Sequence, residues 1–152
     1  MIELLLSSGI RVSELVNMKV EDIDFNSMVV HVKHGKGNKE RITYMDDIAK
    51  FYLEKYLLER EEKGNTLFYN NRHTPLAANG IRYVLNEIAT QAGISNVHPH
   101  RFRRTFASKL AKRGMKIEEI KNLLGHARVE TTMTYIYTED ETIHNSYKKF
   151  IS

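Results

Sequence analysis

The sequence predicts an α+β fold that is mainly helical and contains one small antiparallel sheet of three strands. Apolar side chains recur at helical spacing along most of the chain, as at Ile81 and Leu85. In contrast, Met28, Val30 and Val32 alternate with polar positions, which is the pattern of a half-buried strand. With 152 residues, the chain fits a single domain, residues 1–152, that is long enough to bury a hydrophobic core.

Glycines and capping residues mark the ends of the predicted helices. Gly9, Gly93 and Gly125 each follow an apolar helical stretch, and glycine commonly ends helices. Asp46 or Asp47 can cap the first turn of another helix through its carboxylate. The predicted helices cover residues 2–7 (the end of a helix that starts before residue 1), 13–17, a segment from 46 or 47 into the charged run 59–63, 77–92, 99–113, 117–124, 129–137 and 141–151.

The predicted sheet is built around a hairpin. Residues 28–32 and 41–44 form its two strands, and the glycine-rich segment 34–39 forms the turn between them. The sequence Leu-Phe-Tyr at residues 67–69 predicts a short third strand.

Composition and charge favour a nucleic acid as the partner. The net charge of +4 and the isoelectric point near 9.2 indicate an acidic ligand, although a charge of this size is a weak signal by itself. Cysteine is absent, which excludes a disulfide framework or a thiolate metal site and suits a cytoplasmic location. No apolar run approaches the roughly 20 residues of a membrane span, so no membrane partner is expected.

Tyr135 is the candidate nucleophile, and Arg11 and Arg103 are candidates for an anion clamp. A phosphodiester attacked by an oxygen passes through a five-coordinate transition state that gathers negative charge on its oxygens. Guanidinium groups stabilise that charge because their donors match two phosphate oxygens at once and their charge does not titrate. Arginines can therefore replace the metal ions that many nucleases use.

His100, His126 and Lys36 are candidates for proton transfer and for further hydrogen bonds to the phosphate. Histidine can donate a hydrogen bond to a phosphate oxygen and can move a proton near neutral pH. Lys36 lies in the glycine-rich turn, from which a flexible side chain could reach and protonate the leaving 5′ oxygen. Tyr135 follows His126 by nine residues in the sequence.

Each of these residues also has a simpler interpretation. An isolated arginine or lysine near a turn is commonly a solvated residue. Tyr135 and Tyr137 could be core or surface aromatics on a short helix, and the adjacent Thr131, Thr132 and Thr134 suggest polar surface packing. His98 and His100 resemble a metal pair, but no third ligand lies at zinc-like spacing, so no metal is expected. These interpretations weaken when all of the elements occur in one order.

Four segments in that order resemble the catalytic domain of the tyrosine recombinases, also called the phage integrase family, and above all its Xer-like branch. Residues 8–15, Ser-Gly-Ile-Arg-Val-Ser-Glu-Leu, are similar to the family's first arginine box, and residues 35–41 are similar to its hairpin lysine segment. Residues 98–107 resemble the His-x-x-Arg box. Residues 123–126 and 131–135 resemble the last box and its nucleophile.

The resemblance implies a role for each matched residue. The scissile phosphate is held by Arg11, Arg103 and His126, His100 is mainly the base, Lys36 is the acid that protonates the 5′ hydroxyl, and Tyr135 is the nucleophile. Glu14 matches an acidic position that supports the site. An equal alternative is that its negative charge interacts with the positive end of the helix dipole at residues 13–17. The spacing from His126 favours Tyr135 over Tyr137 as the nucleophile.

The resemblance also implies a reaction and its partners. The reaction is cleavage and rejoining of double-stranded DNA at specific sites through a 3′-phosphotyrosyl intermediate, with no metal, ATP or other cofactor. The expected assembly is a homo-oligomer, which is a tetramer in the synaptic complex. For the domain alone, a monomer is an open alternative. Residues 141–152 are similar to the tail that family members donate to a neighbouring subunit, and packing on its own domain is an equal alternative.

The sequence departs from the family in two places. Arg104 stands where some relatives have a second histidine, and it is left outside the set of site residues. Family members usually have a core-binding domain and a further catalytic-domain helix upstream of the position of Met1, so a catalytic fragment is expected here. Two other functions remain open: relaxation of one DNA duplex, as by a type IB topoisomerase, and DNA binding without catalysis.

Overall fold

The computed structural model describes residues 1–33, 40–95 and 97–136, and it confirms the mainly helical α+β fold. In these residues, besides the short 3₁₀ helix Val20–Asp22, the helices are α1 (Ile2–Ser8), α2 (Val12–Val16), α3 (Asp47–Glu59), α4 (Ala78–Gln91), α5 (Pro99–Lys112), α6 (Ile117–Leu124) and α7 (Val129–Ile136). The strands are β1 (Ile23–Asp24), β2 (Val29–Val32) and β3 (Arg41–Tyr44). Every helix in the described residues is too short or too polar to cross a membrane.

Helix boundaries lie within one residue of the predicted ones for most of the described helices. α3 follows Asp46, whose carboxylate accepts a hydrogen bond from the backbone N–H of Ala49 at 2.9 Å, so Asp46 is the capping residue of the two candidates. α2 begins at Val12, one residue earlier than predicted. The reason is that the Glu14 carboxylate accepts the backbone N–H of Arg11 at 2.7 Å and caps the helix from within its first turn.

The sheet has three antiparallel strands in the order β1-β2-β3, but its third strand is not the predicted one. β1 pairs with β2 through Ile23 opposite Val30. The prediction of a strand at residues 67–69 was wrong. The backbone N–H of Leu67 donates to the carbonyl of Met18 at 3.0 Å, and the neighbouring bridges at Thr66 and Tyr69 are isolated ones. Residues 67–69 therefore form no ladder with another described segment.

Three sequence predictions fall outside the described residues. They concern the turn that carries Lys36, the rival tyrosine Tyr137 and the C-terminal helix at residues 141–151.

Two hydrophobic clusters hold the fold together and meet at α5. The larger cluster joins the sheet to α1 through α4 and includes Phe102, whereas the smaller one joins α5, α6 and α7 and includes Phe106. Gly9 ends α1 with φ of 61°, and a Cβ there would lie 2.5 Å from the Phe106 ring. Glycine therefore permits both the turn and the close approach of α5, which brings the start of α2 beside the first turns of α5.

Candidate active site

A cleft of ≈ 1010 Å³ opens between the start of α2, β3, the first turn of α5, the end of α6 and α7. Its walls include five of the residues predicted for the site, namely Arg11, His100, Arg103, His126 and Tyr135. Glu14 is buried next to this cleft in contact with Arg11, and Lys36 lies outside the described residues. Residues that are remote along the chain thus converge in one place, with only the predicted acid not placed.

Arg103 is the most deeply buried charged group of the cleft, with only 2% of its surface exposed. Its guanidinium donates hydrogen bonds to the carbonyl of Gly9, to the carbonyl of Leu124 at 2.9 Å and to Nε2 of His126 at 3.1 Å. Burial, followed by the nearby charge of Arg11, lowers the pKa of Arg103 to about 10, so the group stays charged at neutral pH. These contacts use three of the five N–H groups of an arginine.

The hydrogen bonds of His126 assign its tautomer. An arginine can only donate, so Nε2 of His126 must accept the bond from Arg103. The ring proton is then on Nδ1, which donates to the hydroxyl oxygen of Thr132 at 2.9 Å. Burial, together with the charges of Arg103, Arg11 and Arg41, lowers the pKa of His126 to about 4, so the ring is neutral at neutral pH.

Arg11 is held between a carboxylate and a backbone carbonyl. Its Nη1 donates to Oε1 of Glu14 at 2.7 Å, and its Nη2 donates to the carbonyl of Gly125 at 3.3 Å. Burial by itself would raise the pKa of Glu14, but the hydrogen bonds from Arg41 and Arg11 outweigh burial and lower the pKa to about 2. Glu14 therefore caps α2 and also carries a full negative charge beneath two guanidinium groups.

Arg41 and Thr132 are parts of this network that the sequence did not reveal. Arg41 donates from Nη1 and Nη2 to the two carboxylate oxygens of Glu14, each at 2.8 Å. Thr131 and Thr134 are exposed, as expected for a polar surface, but Thr132 is fully buried, so for Thr132 the prediction was wrong. One signal was present for Thr132, because it precedes Ile136 by one helical turn and therefore shares the inward face of α7.

Tyr135 lies half-buried on α7, beside His126. The two rings meet edge to face, with their centroids 5.3 Å apart and an angle of 64° between their planes. The backbone carbonyl of Tyr135 accepts a hydrogen bond from the hydroxyl of Ser108 on α5 at 2.9 Å. Packing of Thr132 and Ile136 on the inner face of α7 leaves Tyr135 on the wall of the cleft.

The walls of the cleft carry an excess of positive charge. Its cationic side chains are Arg11, Arg41, Arg103, Lys121 and Arg128, whereas its one carboxylate in the described residues is Glu40. His100 occupies the first turn of α5 and is exposed at the opening, one turn before Arg103. No three His, Asp or Glu side chains of the described residues group together as a metal site. The arrangement can hold one tetrahedral oxyanion within reach of a phenol.

Comparison with known proteins gives a consistent family. The sequence model of the phage integrase family matches residues 1–142. Tyrosine recombinase XerC of Staphylococcus epidermidis is 39% identical over 151 residues, which cover 96% of this chain and 51% of the relative. XerC of Staphylococcus aureus is 38% identical over 151 residues, covering 96% of this chain and 50% of the relative. The chain therefore spans about half the length of these curated relatives.

Solved structures support the same family. The crystal structure of XerA recombinase has a TM-score of 0.88 and 33% identity, covering 97% of this chain and 56% of that one. The fold is shared by XerH bound to palindromic difH substrate, with a TM-score of 0.82 and 22% identity, covering 99% of this chain and 44% of that one. It is also shared by the Tn1549 transposon integrase in complex with circular intermediate DNA, with a TM-score of 0.80 and 20% identity, covering 99% of this chain and 58% of that one. The chain thus belongs to the phage integrase family of tyrosine recombinases and has the fold of their catalytic domain.

Proposed function

We propose that this chain cleaves and rejoins DNA strands at specific sites, with Tyr135 as the nucleophile. The phenolic oxygen attacks the phosphorus, and the bond to the 5′ oxygen breaks. The phenol loses one proton and the leaving 5′ hydroxyl gains one. A 5′ hydroxyl then attacks the 3′-phosphotyrosyl ester and releases the tyrosine. One ester replaces another at each step, so the chemistry does not consume ATP.

One observation carries this proposal: Tyr135 shares a single cleft with Arg11, His100, Arg103 and His126. A packing tyrosine does not need a concentration of cations around it, whereas a tyrosine that attacks an anion does. The excess positive charge attracts the phosphate and stabilises the negative charge that its oxygens gain in the transition state.

The two arginines are proposed to hold the non-bridging oxygens of the phosphate. Arg103 is anchored by the carbonyls of Gly9 and Leu124, and Arg11 is anchored by Glu14 and the carbonyl of Gly125. Because both groups are fixed before DNA arrives, little reorganisation is needed when charge develops on the phosphate oxygens. Their effect should therefore be larger on cleavage than on DNA binding.

His126 is proposed to add a hydrogen bond to the phosphate after a change of tautomer. In the free chain, Nε2 accepts from Arg103 and so cannot donate. If a phosphate oxygen takes the one Arg103 N–H that Nε2 accepts, while the bonds of Arg103 to the two carbonyls stay in place, Nε2 can carry the proton and donate to a phosphate oxygen. Nδ1 then accepts from the Thr132 hydroxyl, which can serve as donor or acceptor. The buried hydroxyl supports either tautomer without a net change in charge.

His100 and Lys36 complete the proposed set. His100 lines the cleft with Tyr135 and is exposed, which suits a group that takes the phenolic proton. Lys36 is proposed as the acid towards the 5′ oxygen. Lys36 precedes strand β3 by five positions in the sequence, and β3 begins at Arg41 on the wall of the cleft.

Double-stranded DNA is the proposed substrate, and a homotetramer acting on two duplexes is the proposed working unit. The structures of XerH with difH substrate and of the Tn1549 integrase with circular intermediate DNA show such relatives bound to DNA. For this chain, residues 1–152 are proposed to form the catalytic domain and to act on DNA in the cytoplasm. No metal or cofactor is invoked in any step.

Capture of a covalent complex tests the proposal. A pool of short duplexes of randomised sequence, each with a nick, is incubated with the chain. Cleavage close to the nick releases the short fragment that carries the free 5′ hydroxyl. Once this fragment diffuses away, rejoining cannot occur, so the 3′-phosphotyrosyl ester persists through a denaturing wash. Sequencing of the DNA that remains attached identifies the preferred site.

The nucleophile is assigned by two matched variants. Tyr135→Phe removes one hydroxyl and should abolish the complex, whereas Tyr137→Phe should preserve it. A complex that survives in Tyr135→Phe rejects the assigned nucleophile. The absence of any complex from the unaltered chain rejects the proposed reaction.

A further inference from the structure

We propose that Arg41 is a positioning residue that keeps the charge of Arg11 available to the scissile phosphate. This inference rests on the proposed function and deepens it. Arg41 is the first residue of β3 and lines the cleft, yet its side chain is only 10% exposed. It acts through Arg11 and does not itself react.

The donors of Arg41 point at the protein. Nη1 and Nη2 meet the two oxygens of Glu14, each at 2.8 Å, in a bidentate pair. Nε donates to the carbonyl of Leu123, also at 2.8 Å. Arg41 therefore connects three remote segments: β3, the first turn of α2 and the end of α6. A solvated arginine at the edge of a sheet would make none of these contacts.

Both anchors of Arg11 are held by Arg41. The first anchor is Glu14, whose Oε1 accepts from both guanidinium groups. The second anchor is the carbonyl of Gly125, and Arg41 packs so closely against this glycine that a Cβ would lie 2.8 Å from its Cδ. Gly125 also has φ of 64°, which favours glycine. Loss of Arg41 would therefore loosen both partners of Arg11 at once.

Charge gives the second reason for the role. Glu14 is ionised, because its pKa is lowered to about 2 despite its burial. With Arg41 absent, Glu14 and Arg11 would form a one-to-one pair whose charges cancel at the place where the phosphate binds. With Arg41 present, the carboxylate is shared, and the group of three keeps one net positive charge.

The test compares Arg41→Lys and Arg41→Gln with Arg60→Lys. Lysine keeps the charge but cannot form the bidentate pair, and glutamine removes the charge as well. Arg60 is a matched control because its guanidinium also donates to main-chain carbonyls, those of Gly64, Thr66 and Leu67, and it does not line the cleft. The rate of covalent complex formation and the half-saturating DNA concentration are measured with the duplex selected from the randomised pool.

The expected result separates rate from affinity. At saturating DNA, Arg41→Lys should lower the rate by about 10-fold or more and Arg41→Gln further, while half-saturation changes by less than about threefold. Glu14→Gln combined with Arg41→Lys should cost less than the sum of the two single changes, because the two residues share the Glu14–Arg41 contact. Arg60→Lys should leave the rate unchanged.

Several outcomes would overturn the role of Arg41. The first is a cleavage rate in both folded Arg41 variants that stays within about threefold of the rate of the unaltered chain. The second is an equal loss of rate in Arg60→Lys. The third is failure of both Arg41 variants to fold at low temperature, which would make Arg41 a structural residue. If the unaltered chain forms no complex, the proposed function fails, and inorganic phosphate serves as the probe. Its affinity, followed by the NMR signals of Arg11, should then fall in Arg41→Gln but not in Arg60→Lys, and equal affinities would reject the inference.

Discussion

Replacement of Glu14 by glutamine should be among the most destabilising single changes in this chain. The carboxylate of Glu14 is buried and accepts four hydrogen bonds at 2.7–2.8 Å, two from Arg11 and two from Arg41. Glutamine keeps one acceptor oxygen, and its amide N–H groups would face two of these donors. Removing one partner of a buried ion pair costs about 3–5 kcal/mol, a large share of the roughly 5–15 kcal/mol that stabilises a domain.

Urea denaturation at neutral pH measures this loss as a change in the free energy of unfolding. Glu21→Gln is the control, because Glu21 is 53% exposed and pairs with Lys19 and Lys33 only at 3.6 and 4.0 Å. Glu21→Gln should lower the free energy of unfolding by less than about 1 kcal/mol. If Glu14→Gln costs as little as this control, the argument from the shared carboxylate is wrong.

The same pair of variants predicts a dependence on pH. The pKa of Glu14 lies at about 2 in the folded chain, below its ordinary value of 4.5. The stability that Glu14 contributes is therefore present above pH 4.5 and is lost as the pH falls towards 2. Glu14→Gln should lack this part of the acid sensitivity, so the stabilities of the two chains should converge in acid. A constant difference across this window would contradict the assignment.

Two further predictions concern Gly9 and His126. Gly9→Ala should cost about 1–2 kcal/mol for its left-handed backbone and about 1–3 kcal/mol more for the clash with Phe106. Gly93→Ala, at φ of 67° with nothing within 4 Å, should cost only the backbone part, and equal losses in urea denaturation would refute the packing argument. The pKa of His126 is about 4 in the folded chain, below its ordinary value of 6.5. Between these two values the unfolded chain binds more protons than the folded chain, so the free energy of unfolding should fall as the pH drops from 6.5 towards 4. His126→Gln should remove this slope; an unchanged slope would show that other groups cause it.

Much of the candidate site could be predicted because its residues lie in short local patterns. Arg11 follows a helix end marked by Gly9, and His100 and Arg103 are one turn apart on a helix that begins at Pro99. Such signals depend on residues that are neighbours along the chain, so they survive without knowledge of the packing. The roles of these residues remain proposals, whereas their convergence in one cleft is a property of the fold.

The errors arose where distant segments decide the structure. Residues 67–69 have the composition of a strand, but strand formation requires a partner ladder, and the edge of β2 is already occupied by β1. Thr132 has the polar character of a surface residue, yet it lies on the inward face of α7, where Nδ1 of His126 satisfies its buried hydroxyl.

The sequence by itself determined the family and the mainly helical fold, and it pointed to most of the side chains that line the cleft, because local periodicity and motif order encode them. Only the tertiary structure decided that Arg41 reaches Glu14 from 27 positions further along the chain and that Gly125 makes room for it. A guanidinium carries no local sign of its partner. Its role follows from which carboxylate and which carbonyls the fold brings within hydrogen-bond distance.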